Sequence, residues 1–211
     1  MLFKETISTQ TLELLKRIMA DQQFDHFTLV GGTALSLLIG HRISIDLDFF
    51  TTRNFDASFF SDYLYANYTF KADYISKNTL KGLSNEIQLD FIAHQYPFLE
   101  QPLLKENIRI ASLKDIAAMK LNAIATNGSR IKDFTDIAFL SLHLTLNQML
   151  DAYEEKYQAN KIIGIKSLSY FNDVNIHEPL KMIKAKQPTW QQIKTHIRKM
   201  IEKPDQVFSH L

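Results

Sequence analysis

The sequence predicts an α+β protein. We expect an α/β lobe over residues 1–100, with a mixed sheet and flanking helices, followed by a helical lobe over residues 101–211. Three short segments in the first lobe have the apolar pattern of strands, and after Pro97 and Pro102 the apolar residues recur at helical spacing. The 211 residues, 45% of them hydrophobic, are enough to bury a core in one large domain or in two small lobes.

The elements of the first lobe follow from the spacing of apolar residues and from the turn residues between them. In chain order the predicted elements are a helix at 10–20, a strand at Phe27–Val30, a short helix at Thr33–Ile39 ended by Gly40, a strand at Ile43–Phe50, a helix then a strand within 58–75, and a strand at Glu86–Ala93.

The second lobe has the start and stop signals of helices. A capping box at Ser112–Asp115 begins a helix that runs to about Ala125, and the turn Asn127-Gly128-Ser129 follows it. Further helices are predicted at 130–142, 146–157 and 189–202, where apolar residues recur every three or four positions.

Composition excludes several classes of protein. Without cysteine there is no disulfide, no thiolate zinc site and no cysteine nucleophile. The first ten residues are charged and polar where a signal peptide would be apolar, and no apolar run is long enough to cross a membrane. We therefore expect a soluble cytoplasmic protein that makes no contact with a membrane.

Two acids in one predicted strand share a face. In the strand Ile43–Phe50 side chains alternate, so the apolar residues at 45, 47 and 49 point to one side. Asp46 and Asp48 point to the other side, roughly 6.5 Å apart along the chain. Because two neighbouring carboxylates repel each other, a hard divalent cation is their natural partner. The pattern predicts that Asp46 and Asp48 are metal ligands.

A third acid fits the same arrangement. In Glu86–Ala93 the apolar residues face one way and Asp90 the other, so pairing of this strand with the first would place Asp90 beside Asp46 and Asp48. Three carboxylates on adjacent strands suit two-metal phosphoryl transfer, with Asp90 as a metal ligand and as the general base. The alternative is that Asp90 lies on the exposed face of an edge strand.

A glycine turn precedes the acidic strand. Gly31, Gly32 and Thr33 open a helix directly after a strand, which lets backbone N–H groups approach a phosphate. The Thr33 hydroxyl can add a hydrogen bond to that phosphate. Arg42, just before the acidic strand, fits either a phosphate contact or a structural ion pair, and the sequence favours the pair.

These residues carry a resemblance to a known family. The string GGTALSLLIGHRISIDLDFF resembles the signature of the nucleotidyltransferase AbiEii/AbiGii toxin family, within the DNA polymerase β-like nucleotidyltransferase superfamily. The segments SLKDIAAMKLNAI, NGSRIKDFTDIAFL and SLSYFNDVNIHEPLKMI resemble later parts of the same family, so the likeness covers most of the chain. One departure is Thr33, which stands where many superfamily members have serine and keeps the hydroxyl.

The resemblance implies a polymerase β-like nucleotidyltransferase lobe that transfers a nucleotidyl group from an NTP with Mg²⁺ or Mn²⁺. It implies Asp46 and Asp48 as the metal ligands and Gly32-Thr33 at the triphosphate. It also draws attention to four residues of the helical lobe: Lys120, Lys132, Asp133 and Asp136.

Charge spacing in the helical lobe allows two interpretations. Lys132 and Asp136 are four residues apart on one helix face, which fits either a surface ion pair or a lysine held ready for triphosphate. Lys120 lies in an apolar stretch and needs a partner or a route to solvent, and a phosphate site would provide the partner. We predict that Lys120 and Lys132 bind nucleotide and that Lys132 and Asp136 take part in catalysis.

Three functions remain open at this point. The first is NMP transfer to RNA such as tRNA, by the toxin of a toxin–antitoxin or phage-defence pair with a cognate antitoxin protein. A basic C-terminal stretch would hold the RNA backbone, unless it is simply a solvated helix face. Its positive residues are Lys181, Lys184, Lys186, Lys194, Arg198, Lys199 and Lys203. The second is transfer to a small molecule or a protein hydroxyl, and the third is a catalytically silent nucleotide-binding or partner-binding module.

Overall fold

A computed structural model describes residues 1–183 and 188–211 and confirms the α+β class. The chain forms two compact units. The sheet unit comprises Met1–Pro97 and Pro102–Ala111, and the helical unit comprises Phe98–Gln101 and Ser112–Leu211.

The sheet unit is built on a seven-stranded mixed sheet with the order β3-β4-β5-β2-β1-β7-β6. The pairs β2–β5 and β1–β7 are parallel and the other neighbours are antiparallel. The strands are β1 Thr28–Val30, β2 Leu47–Thr51, β3 Phe70–Ser76, β4 Thr79–Ser84, β5 Ile87–Ala93, β6 Leu103–Lys105 and β7 Ile108–Ile110.

Three α-helices belong to the sheet unit: α1 Thr9–Ala20, α2 Gly31–Ile39 and α3 Ala57–Tyr68. Ser8 caps α1 by accepting a hydrogen bond from the Thr11 N–H, the usual way in which a hydroxyl satisfies a free N–H of the first turn. Gly40 ends α2 in the left-handed conformation, as predicted.

The core of the sheet unit lies on one face of the sheet. Phe49 of β2 and Phe91 of β5 are fully buried, and their rings stack with centroids 4.9 Å apart. Leu47 and Leu89 continue the same apolar rows. Because side chains alternate along a strand, the residues between them, which include Asp48, point to the opposite face.

Several strands escape prediction from sequence. The segment 101–111, which we predicted to belong to the helical lobe, instead forms the β6–β7 hairpin and adds β7 to the edge of β1. Three-residue strands are too short to show a period, and only the pairing of β7 with β1 and of β6 with β7 reveals them. β4 is also unpredicted, because Gly82 and Ser84 occupy its buried face and Leu83 its exposed face, so TLKGLS shows no apolar alternation.

The helical unit contains α4 Leu113–Asn127, α5 Ile131–Leu140, α6 Leu146–Tyr157, α7 Lys161–Ser169 and α8 Trp190–Glu202. Four of these match predicted helices. The helix α7 has no counterpart in the prediction, because Ile162 and Ile163 are exposed and give no apolar stripe. Within residues 1–183 and 188–211, no helix has the length and apolarity needed to span a bilayer.

A buried histidine makes the stability of the helical unit depend on pH. His196 of α8 is buried against the Phe208 ring, and its Nε2 lies 2.7 Å from the Ser141 hydroxyl. Burial lowers the pKa of His196 from about 6.5 to about 4. Because the folded state then binds fewer protons than the unfolded state, the stabilisation is complete above pH 6.5 and is lost as the pH falls towards 4.

We expect the free energy of unfolding to lose about 3 kcal/mol through His196 between these two pH values. Urea unfolding of the wild type and of His196→Gln, followed across the same range, isolates this contribution from that of the carboxyl groups. A stability difference between the two proteins that stays constant with pH would contradict the assignment.

Candidate active site

The turn between β1 and α2 brings the backbone against a carboxylate. Gly31 begins α2 with φ of +70°, and a Cβ added there would lie 2.3 Å from Asp48 Oδ2. Val30 pairs with Asp48 across the antiparallel β1–β2 ladder, which is why Asp48 reaches the turn. Only glycine satisfies both the left-handed backbone and the close approach. The N–H groups that open α2 therefore begin beside Asp48.

A guanidinium lies against the next residue of the same turn. A Cβ on Gly32 would be 2.3 Å from Nη2 of Arg42, which is buried. Through Nη1, Arg42 donates to the Ile43 carbonyl at 3.1 Å and to the Ser44 hydroxyl at 3.4 Å. The structure thus brings the positive charge of Arg42 to the glycine turn.

Thr33 has a positioning role in this structure. Its hydroxyl is buried and donates to the backbone carbonyl of Asp46. The predicted hydrogen bond from Thr33 to a phosphate is therefore replaced by a link that ties α2 to the segment entering β2.

Asp46 and Asp48 do not share a strand. β2 begins at Leu47, and Ile45, which we expected in the core, is 64% exposed. Asp46 precedes the strand and is exposed, whereas Asp48 is half-buried within it. The prediction of a strand from Ile43 was wrong. Apolar alternation extends back to Ile43, but the ladders of β1 and β5 with this segment begin only at residues 47 and 48.

Asp90 lies where the sequence placed it, opposite Asp48. The two residues are direct partners in the parallel β2–β5 ladder. In a ladder, partners lie on the same face, so both acids are on the face opposite the aromatic core. The Asp90 carboxylate forms an ion pair with Lys81 of β4 and accepts a hydrogen bond from Gln88 Nε2 at 2.9 Å.

The donor set suits a hard cation, although three acids do not converge in this conformation. Carboxylate oxygens are the ligands that Mg²⁺ prefers, and Gly31 leaves the space that Asp48 occupies. In the parts of the chain that the structure describes, no three Asp, Glu or His side chains are grouped to hold a metal. The reason is visible locally, since Asp46 stands outside the strand and Asp90 is held by Lys81.

The predicted basic residue Lys120 is enclosed in the helical unit. It lies on α4, is 5% exposed, and its Nζ is 2.7 Å from both Asp133 and Asp136 of α5. Arg130 adds a second cation to Asp133 at 3.2 Å. In this structure Lys120 joins α4 to α5, in place of the predicted contact with triphosphate.

Lys132 does not pair with Asp136. Its Nζ lies 3.0 Å from Glu178 Oε1, while Asp136 is fully buried on Lys120. The four-residue spacing suggested a pair along α5, but burial directs Asp136 inwards and leaves Lys132 to a residue distant in sequence. Sequence spacing gave no sign of Glu178, nor of Lys81 beside Asp90.

The basic C-terminal stretch is only partly covered by the structure. Lys184 and Lys186 lie outside the described residues. Arg198 and Lys199 are exposed on α8, and Lys194 is half-buried with its Nζ 5.9 Å from the centroid of the Trp190 ring. The described part of the stretch is thus a basic helix face with aromatic neighbours.

Comparison with known proteins decides the family. The family model described as nucleotidyl transferase AbiEii toxin, Type IV TA system, matches residues 13–100 and 62–208, which together span most of the chain. The chain belongs to the AbiEii nucleotidyl transferase toxin family. The resemblance predicted from the glycine turn and the acidic strand is confirmed.

A relative of this AbiEii-family chain occurs in Aquifex aeolicus (strain VF5). That uncharacterized protein is 34% identical over 199 residues, which cover 90% of this chain and 93% of the relative.

Solved structures share the fold of the AbiEii-family chain. A putative nucleotidyltransferase from H. pylori superposes with a TM-score of 0.56 at 18% identity, over 93% of this chain and 96% of that chain. The antibiotic-resistance factor ANT(2'')-Ia superposes with a TM-score of 0.54 at 11% identity, over 69% of this chain and 90% of that chain. The predicted nucleotidyltransferase fold is thereby confirmed.

Proposed function

We propose that this AbiEii-family nucleotidyltransferase transfers NMP from an NTP to an RNA acceptor such as tRNA, as the toxin of a toxin–antitoxin or phage-defence pair. The observation that carries the proposal is the register of Asp48 with Asp90, directly beside the Gly31 turn. The same face of the sheet thus holds two acids and the start of a helix, the groups that a nucleoside triphosphate requires.

Asp46 and Asp48 are the metal ligands in this proposal. A bound Mg²⁺ or Mn²⁺ supplies charge neutralisation and orientation at the phosphates. Asp46 would hold such an ion through its exposed carboxylate, while the hydrogen bond from Thr33 holds the Asp46 carbonyl in place. Asp48 needs no side-chain rearrangement to remain beside the turn, since Gly31 offers no Cβ to displace it.

The glycine turn and Arg42 bind the triphosphate in this proposal. The N–H groups at the start of α2 and the guanidinium beside Gly32 present hydrogen-bond donors and positive charge to phosphate oxygens. The nucleotide contact of Lys132 stays a prediction, and in the helical unit its counter-ion is Glu178. Lys120 and Asp136 position α4 against α5.

Asp90 receives the proton of the attacking hydroxyl. Lys81 and Gln88 each donate to one oxygen of the Asp90 carboxylate, and each oxygen keeps a second lone pair. That lone pair can accept a hydrogen bond from a substrate hydroxyl. The hydroxyl oxygen forms a bond to the α-phosphorus, the bond from that phosphorus to the bridging oxygen breaks, and pyrophosphate leaves. Lys81 and Gln88 orient Asp90 for this step.

Labelling of RNA tests the proposal directly. The purified protein is incubated with total RNA, Mg²⁺ and each of the α-³²P-labelled NTPs in turn. We expect label in RNA from one or more of the NTPs, and loss of label to background with EDTA, because without a divalent cation the carboxylates repel the triphosphate. Addition of excess Mg²⁺ or Mn²⁺ to the chelated enzyme restores the label.

Other acceptors give distinct outcomes in the same assay. Label on the protein itself or on an aminoglycoside, with none on RNA, would overturn the RNA acceptor. NTP binding without transfer to any acceptor would indicate the silent module. A cytoplasmic setting and a cognate antitoxin protein complete the proposal, and suppression of the labelling by a co-expressed candidate antitoxin would support the second of these.

A further inference from the structure

A cavity of about 300 Å³ lies within the helical unit, between α5, the start of α8 and the segment around Glu178. Its volume is at the small end of the range for ligand pockets and suits one flat ring system. Six apolar residues form most of its wall: Ile131, Ile176, Leu180, Pro188, Trp190 and Ile193. Exposed Ile176 marks the side open to solvent.

Glu178 brings an acceptor to this apolar wall. Its Oε1 is held by Lys132, and its Oε2 is shielded from solvent without a hydrogen-bond partner among the described residues. A buried acceptor without a donor costs about 1–3 kcal/mol, and a ligand that supplies a donor to Oε2 would recover that cost. The cavity therefore favours a ligand that is flat and apolar on its faces and has an N–H donor at its edge.

Trp190 and the basic face of α8 indicate a nucleic acid as the source of that ligand. Phe134 and Phe171 pack against Trp190 in edge-to-face geometry, with centroids 5.7 and 5.6 Å away, and fix the indole beside the cavity. Lys194 lies over the indole, and Arg198 lies over the ring of Phe171 at 5.8 Å. Aromatic rings interleaved with cations are the usual means of binding single-stranded RNA.

We propose that this cavity binds one unpaired base of the RNA acceptor, with the exocyclic amino group of that base donating to Glu178 Oε2. Uracil is disfavoured because two carbonyl oxygens flank its N3–H and would face the carboxylate. Cytosine has the same ring size and has an amino group in place of one of those carbonyls. The inference rests on RNA as the acceptor, and it adds a base-reading subsite in the helical unit.

The chain provides its own reporter, because Trp190 is its single tryptophan. Titration with single-stranded oligo(C) and oligo(U) of equal length, without NTP or metal, is followed by tryptophan fluorescence. We expect oligo(C) to quench the indole and to bind about tenfold more tightly than oligo(U), since one hydrogen bond to a charged acceptor contributes 1.5 kcal/mol or more. Both affinities fall with added salt.

Glu178→Gln tests the role of the carboxylate. Glu202→Gln is the matched control, because Glu202 is an exposed residue of α8. Glu178→Gln is expected to remove the preference for oligo(C), whereas Glu202→Gln retains it. Trp190→Phe, measured by anisotropy of labelled RNA, should weaken both oligonucleotides alike. Asp48→Asn should bind both oligonucleotides as the wild type does. Loss of nucleotidyl transfer and loss of base recognition are therefore separable results.

Three results would overturn the inference. The first is equal affinity of the wild type for oligo(C) and oligo(U), and the second is an unchanged preference for oligo(C) in Glu178→Gln. The third is quenching by free CTP that is as strong as quenching by oligo(C) of any length. The last result would assign the cavity to a mononucleotide instead of the RNA acceptor.

Discussion

Asp48→Asn is expected to lower nucleotidyl transfer by about 10³-fold or more, a loss of about 4 kcal/mol of transition-state stabilisation. Asparagine keeps the shape that Gly31 accommodates but removes the charge that a divalent cation requires. The change is local, because Asp48 is half-buried on the face of the sheet away from the aromatic core. We therefore expect the free energy of unfolding to stay within about 1 kcal/mol of the wild type.

The measurement is the initial rate of label transfer from the preferred NTP, with unfolding followed in parallel by circular dichroism. Asp73→Asn is the matched control, since Asp73 is an exposed acid of the same sheet on β3. Its rate should stay within about twofold of the wild type. An Asp48→Asn enzyme that keeps more than a tenth of the rate would remove Asp48 from the site.

The parts of this site that could be predicted are those set by local sequence. Alternation along β5 places Asp90 opposite the core side chains, and pairing of β5 with β2 brings it beside Asp48, as expected. The glycine pair that opens α2 could equally be recognised in the sequence, because only glycine provides the conformation and the close approach found at Gly31. Period and backbone sterics are local properties, and both were sufficient here.

The parts that could not be predicted depend on residues distant in sequence. Lys81 reaches Asp90 only because β4 pairs with β5, and the sequence pattern did not predict a strand at β4. The β6–β7 hairpin joins the sheet unit by pairing with β1, across some eighty residues of chain. The sequence also gave no sign of which buried charges pair. Asp136 pairs with Lys120, although its spacing along α5 predicted a pair with Lys132.

A second large effect is expected at a buried ion pair that sequence analysis explained as a helix cap. Asp115 and Lys156 have fully buried side chains 2.9 Å apart, joining α4 to α6. Asp115 also accepts from the Ser112 hydroxyl and from the N–H groups of Leu99 and Glu100, at 2.9, 3.0 and 3.3 Å. This carboxylate thus binds the segment Phe98–Gln101 to the helical unit, although strands of the sheet unit precede and follow that segment in the chain.

Asp115→Ala is expected to lower the free energy of unfolding by about 4 kcal/mol, because it removes the counter-charge of a buried ammonium and the acceptor of two N–H groups. Lys156→Met should cost less, about 2 kcal/mol, since three donors to Asp115 remain. The exposed ion pair between Lys114 of α4 and Glu100 provides the control, and Lys114→Met should cost under about 1 kcal/mol. Urea unfolding orders the three variants. Equal losses for Asp115→Ala and Lys114→Met would mean that Asp115 acts only as a solvated cap, whereas the expected order makes it the link that holds Phe98–Gln101 in place.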